Sequence, residues 1–112
     1  MAEAETITIK AVAMTEENLL SKVIKALGLT TEYHSEVIRP FFDEVKFYLS
    51  DAGIRADVIL SSASVGLFIR GVSDLWNYGA GNANLSPYFK ERVIQLATTQ
   101  IEVIEEEALQ NG

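Results

Sequence analysis

Residues 55–78, RADVILSSASVGLFIRGVSDLWNY, decide how the rest of the chain is read. In their second half Leu67, Phe68, Ile69, Val72, Leu75 and Trp76 cover more than half of a helical circumference, leaving Arg70, Ser73, Asp74 and Asn77 as the only polar strip. A helix that is apolar most of the way round is buried by several neighbours. The pattern therefore predicts one long central helix over about 55–78. Its first half contains SSASVG, small residues that permit close approach of a second helix.

The flanking segments read as helices that cover it. In MTEENLLSKVIKALGL, residues 14–29, Thr15 is a suitable N-cap, and Glu16 and Glu17 suit the positive end of the helix dipole. Leu19, Leu20, Val23, Ile24 and Leu27 share a face, and Gly28 is placed to end the helix. A second helix is expected from about Thr31 to Ala52, closed by Gly53. Val37, Phe41, Val45, Tyr48, Leu49 and Ala52 fall on its apolar arc, opposite Glu32, Ser35, Arg39, Asp43, Lys46 and Ser50. Pro40 maps to the polar side, where water can satisfy the freed Glu36 carbonyl, so a bend rather than a break is expected. Phe47 points away from the arc. The last helix opens at SPYFKERV, with Ser86 as N-cap and Pro87 as first residue. Its stripe is Phe89, Val93, Leu96, Ala97, Ile101 and Ile104, with Gln100 in the middle.

The expected fold is all-α: a compact bundle of about four helices around the central one. Residues 1–13 form an N-terminal arm in which Ile7 and Ile9 alternate weakly, as in a short strand. The same residues also read as a disordered arm, and a strand there has no partner unless a neighbouring subunit supplies one. The bundle spans 14–104, and 105–112 are an acidic flexible tail.

The chain has 112 residues, 48% apolar and 22% charged, which suits one soluble domain. No apolar run reaches the roughly 18 residues of a membrane span. No basic start precedes an apolar core, so no secretory leader is expected. With no cysteine, disulfides and thiolate zinc sites are excluded. A net charge of −7 opposes tight general binding to DNA or RNA.

The loop GAGNANL, residues 79–85, resembles the opening of a nucleotide-binding turn, but the reading fails. The third glycine of G-x-G-x-x-G is replaced by Asn84, a helix rather than a strand precedes it, and no Gly-Lys-Ser/Thr follows. It reads as a connection between helices, with exposed amides suited to a partner protein. His34 is the only histidine, and its H-x-E lacks the P-C-x-x-C half of a zinc deaminase site. No G-x-S-x-G elbow exists, and the paired carboxylates lie on solvated faces. No catalytic, cofactor-binding or metal residue is expected. The candidates that remain are for protein contact: Phe47, Trp76, Tyr78, Asn82, Asn84 and Tyr88. Trp76 also suits closure of the core's end.

The order of these parts resembles the head–tail connector proteins of long-tailed double-stranded DNA phages. MTEENLLSKVIKALGL is similar to their short opening helix, and TTEYHSEVIRPFFDEVKFYLSDAGI to their acidic-start helix leading to a glycine turn. VILSSASVGLFIRGVSDLWNYGAGNANLSPYFKERVIQLA resembles their long buried helix ending in an aromatic-containing segment, their polar loop and their final helix, so the likeness spans about residues 14–97. It implies a non-catalytic subunit of a homo-oligomeric ring that contacts a portal protein and a tail-completion protein. DNA would be cargo passing through, and the location would be the virion, or the host cytoplasm during assembly. The competing expectation is a small acidic helical inhibitor that mimics nucleic-acid charge through the Glu-rich stretch 102–107.

Overall fold

Two threads of the chain, one near each end, meet in a sheet, and the helices are strung between them. The computed structural model describes residues 8–78 and 84–105. In order the elements are β1 (Thr8–Val12), α1 (Glu16–Ala26), α2 (Thr31–Asp51), α3 (Ala56–Ile59), a 3-10 turn (Ser62–Ser64), α4 (Val65–Tyr78), α5 (Pro87–Ala97) and β2 (Gln100–Ile104). The described part is mainly helical but not all-α. The strands pair in parallel, with Thr8 opposite Gln100 and Val12 opposite Ile104. The partner of the N-terminal strand is thus the chain's own C-terminal segment, not a neighbouring subunit.

Both glycine stops follow one scheme. Gly28 (φ +79°) and Gly53 (φ +94°) adopt the left-handed conformation that a side chain would disfavour. Gly28 and Leu29 donate back to Lys25 and Ile24 at 3.0 and 3.1 Å, and Gly53 and Ile54 to Ser50 and Leu49 at 3.0 and 3.2 Å. These paired bonds satisfy carbonyls that a helix end otherwise leaves orphaned. At the starts, Thr15 Oγ1 accepts from the Asn18 amide and Ser86 Oγ from the Phe89 amide, each at 3.1 Å.

The buried face of α2 is Ile38, Phe42, Val45 and Leu49, turned by one residue from the expected arc in its first half. Phe42 stacks on Phe68 of α4 at 4.5 Å, while Phe41 meets Trp76 edge-on at 6.0 Å from a half-buried position. With two adjacent phenylalanines, the partner helix decides which one goes inside. The helix continues through Pro40, which is exposed as expected. Arg39 and Lys46, two turns apart, reach back to α1: Lys46 Nζ lies 2.7 Å from Glu16, and Arg39 lies 2.7 Å from Glu17. The hydrogen bond and charge of Glu17 hold the Arg39 guanidinium above its already high range, so it stays charged.

The expected single helix over 55–78 is broken. After α3 the backbone leaves the helix at Leu60 and is extended at Ser61 (φ −150°, ψ 172°). The buried hydroxyls of Ser61 and Ser64 donate to the Val58 and Ile59 carbonyls, replacing amides that a continued helix would supply. The serines therefore terminate a helix, and the close neighbour they admit is a strand rather than a second helix. The break receives β1: Val12 N–H donates to Ser62 Oγ at 2.9 Å and Met14 N–H to the Leu60 carbonyl at 3.0 Å.

The last helix also stops short of expectation. It ends at Ala97, where the Thr98 and Thr99 hydroxyls donate to carbonyls of Ile94 and Gln95. Ile101, expected on a helical stripe, is buried in the sheet instead. Arg55 donates to the Ile101 carbonyl at 2.9 Å and forms a fork with Asp57 at 3.0 and 3.2 Å. That hydrogen bond holds the Asp57 carboxyl below its usual range. The contribution of the fork is therefore present above the ordinary aspartate pKa and fades only as pH falls through the depressed one.

The core gathers where α4 crosses α2 and α5. Phe68, Val72, Val45 and Phe89 are fully buried there, and Tyr48 meets Phe89 edge-on at 5.4 Å. A Cβ placed on Gly71 would lie 2.7 Å from Val45 and 2.8 Å from Phe89. None of the described helices is long and apolar enough to cross a membrane. Gly71→Ala is expected to lower stability by about 1–2 kcal/mol, overpacking outweighing the gain in helix propensity. Gly66→Ala, which meets nothing within 4 Å, is expected to leave stability unchanged or raise it by up to about 1 kcal/mol. Urea unfolding of the two variants checks both.

Candidate protein-interaction surfaces

The solvent side of α2 is not a uniformly polar face. Tyr33, Val37 and Phe47 are 74%, 48% and 68% exposed. Together with exposed Pro40 and Glu44 they follow one another at alternating steps of four and three residues. That spacing keeps side chains on a single line along a helix. The line from Tyr33 to Phe47 is about 21 Å long at the helical rise per residue. Exposed acids flank it: Glu32, Glu36, Asp43 and Asp51. The arginine and lysine of α2, Arg39 and Lys46, are turned to Glu16 and Glu17 of α1.

A second surface has the opposite character. A groove of about 400 Å³ opens between β1, the start of α4 and the outer side of α5. Its walls include Ile9, Leu67, Arg70, Tyr88, Arg92 and Gln95, and none of its lining residues is acidic. In a chain where acids outnumber bases 16 to 9, that is a local reversal of charge. Tyr88 is 58% exposed, and the Arg70 guanidinium lies 5.4 Å from its ring centre. The cation thereby fixes the ring while keeping its own outer edge in water. Arg92 donates to Gln95 and has no carboxylate partner among the described residues.

Asp74 holds this corner together. Expected on the polar strip of the central helix, it is buried. Its carboxylate accepts from the Ser86 amide at 3.0 Å and faces Arg70 Nε at 3.4 Å. It therefore fixes where α5 begins, and with it the positions of Tyr88 and Arg92. Nothing in the spacing of the sequence distinguished it from Ser73 or Asn77, which bond to each other.

Of the residues singled out from sequence, Phe47 and Tyr88 are exposed as a contact requires, on different surfaces. Trp76 is half-buried against Phe41 and closes the end of the core. Asn84 is exposed before α5. Asn82 and the side chain of Tyr78 lie outside the described residues, as do residues 1–7 of the arm and 106–112 of the acidic end. The remaining groups are occupied structurally. His34 Nδ1 is 3.2 Å from the Thr30 amide and 3.1 Å from its carbonyl, so either tautomer ties the residue that immediately precedes α2. Among the described residues no three potential metal ligands cluster, and no buried polar side-chain atom lacks a partner.

Comparison with protein-family models, with curated proteins and with solved structures found no match to this chain.

Asp74→Ala is expected to lower stability by about 1–3 kcal/mol by orphaning the Ser86 amide. Phe47→Ser, on an exposed face, is expected to change it by less than about 0.5 kcal/mol. Thermal unfolding of both variants separates a residue that builds the fold from one left free for contact.

Proposed function

We propose that the chain is a structural adaptor: one subunit of a head–tail connector ring that sits between a portal and a tail and lets a DNA genome pass. The observation that carries the reading is the pair of open surfaces, one apolar and acidic on α2, the other apolar and basic beside α5. Rings are built from heterologous contacts, in which two different patches of the same subunit meet. A chain with two unlike patches on one folded body has the parts for such a contact.

Other features support the same reading. The described residues are mainly helical, as the resemblance implies, although the helix expected over 55–78 is broken and the chain adds a two-stranded sheet. The net charge of −7 suits a wall past which a phosphate backbone slides without being held. Thr15 and Ser86 serve as caps, Arg55 and Asp57 as a fork, and Ser61, Ser64, Thr98 and Thr99 as helix stops, which is structural work. The folded body is a rigid carrier for exposed aromatics, and aromatics are favoured at protein contacts.

The test is assembly. The purified chain, mixed with the portal protein encoded in the same genome, is expected to stack on it as a closed ring visible by negative-stain electron microscopy. Failure to associate with the portal, together with tight binding to a nuclease or polymerase, would replace this reading with the acidic inhibitor.

A further inference from the structure

The two open surfaces share a geometry as well as opposite charge. On α5, exposed Tyr88, Arg92 and Gln95 succeed one another at steps of four and three residues, as Tyr33, Val37, Pro40, Glu44 and Phe47 do on α2. Two helices whose contact lines share this spacing can interdigitate along their length. Within one copy the stripe and the groove are both open to solvent, so neither is used by the other.

We infer that the α2 stripe of one copy docks onto the groove beside α5 of the next, head to tail. The inference rests on the ring-subunit reading and supplies the contact that would join its neighbours. Charge selects this arrangement over the symmetric one. Stripe against stripe would set Glu36, Asp43, Glu44 and Asp51 of one copy against the same acids of the other. Groove against groove would oppose Arg70 and Arg92 with themselves. Stripe against groove brings Arg92, which has no carboxylate partner among the described residues, to a helix whose bases are already taken by α1. It also covers Phe47, Tyr33 and Val37 with Tyr88, Ile9 and the aliphatic stems of the arginines, which removes apolar surface from water on both sides.

The contact is directional, and that gives the test. The chain has no cysteine, so a single introduced thiol reports its own location. One sample carries Val37→Cys and a second, of different mass, carries Gln95→Cys, and the two are mixed under mild oxidation. The mixed disulfide is expected to exceed about half of the cross-linked product, the share that random pairing gives, because a heterologous contact joins unlike patches. Adding Arg92→Glu to the Gln95→Cys chain is expected to reduce the mixed product to the random share. Adding Glu44→Arg to the Val37→Cys chain is expected to restore it. Circular dichroism confirms that these exposed substitutions leave the fold intact. Random proportions from the first pair, an excess of the 37–37 product, or no rescue by the charge swap would each overturn the inference. No portal is present in this experiment. A ring that forms on the portal while these thiols pair at random would refute the contact and leave the adaptor reading standing.

Discussion

The break between Leu60 and Ser64 is the constraint on which the rest of the structure depends. A continued helix there would cover the Val58 and Ile59 carbonyls with its own amides and would offer no backbone to a strand. Because serine hydroxyls take those carbonyls, the chain can turn without leaving buried polar groups unpaired. The turn then presents the Leu60 carbonyl and Ser62 Oγ, and β1 is anchored on them. Once β1 is fixed, its other edge is the template for β2, which is how segments at opposite ends of the chain come to pair. Ile9 and Ile101, directly opposed in that pair, then form one wall of the groove. A local hydrogen-bonding choice by small polar residues thus propagates to a surface feature several elements away.

The second condition is close approach. At Gly71 the backbone of α4 comes near enough to Val45 and Phe89 that no side chain fits between. That places α2 and α5 against the same short segment of α4, and the stacked Phe42–Phe68 pair fixes the rotation of α2 about its axis. Rotation matters for the site as much as for the core. Turning α2 so that Phe42 is inside necessarily turns Tyr33, Val37 and Phe47 outward on one line. The exposed stripe is thus set by the buried contact opposite it.

Much of this was legible in the sequence, in places where a residue's preference is local. Thr15, Ser86 and Pro87 mark helix starts through their own side chains or missing amide, and Gly28 and Gly53 mark stops through their conformational freedom. The buried character of α4 and the outward Phe47 follow from periodicity alone. What was not legible depended on partners distant in sequence. Serine and alanine in SSAS are compatible with a helix until β1 is there to use the turn. Ile101 and Ile104 fit a helical stripe, and Ile101 and Val103 equally fit an alternating strand. Periodicity does not arbitrate so short a run, and only the parallel partner β1 decides it. Asp74 reads as one more member of a polar strip until the Ser86 amide is brought to it. The groove was invisible for the same reason: its walls come from both ends of the chain and from α4 and α5.

Charge is distributed by the same logic. The chain is acidic overall, so an unpaired base on its surface is surrounded by potential partners. Arg39, Lys46 and Arg55 are drawn to the acids of the fold itself, which strips α2 of positive charge and leaves its acids exposed along the apolar line. Arg70 is held by a buried acid and spread over Tyr88, and Arg92 stands beside it on a concave surface whose lining has no carboxylate. Exposed ion pairs contribute little to stability, commonly under about 1 kcal/mol each. Their larger consequence here is selective: they occupy Arg39 and Lys46 of α2 and leave Arg92 of α5 without a carboxylate partner among the described residues, so the two surfaces differ in sign. In water each of those surfaces repels its own kind, and their shared helical spacing gives that preference a geometry in which to act.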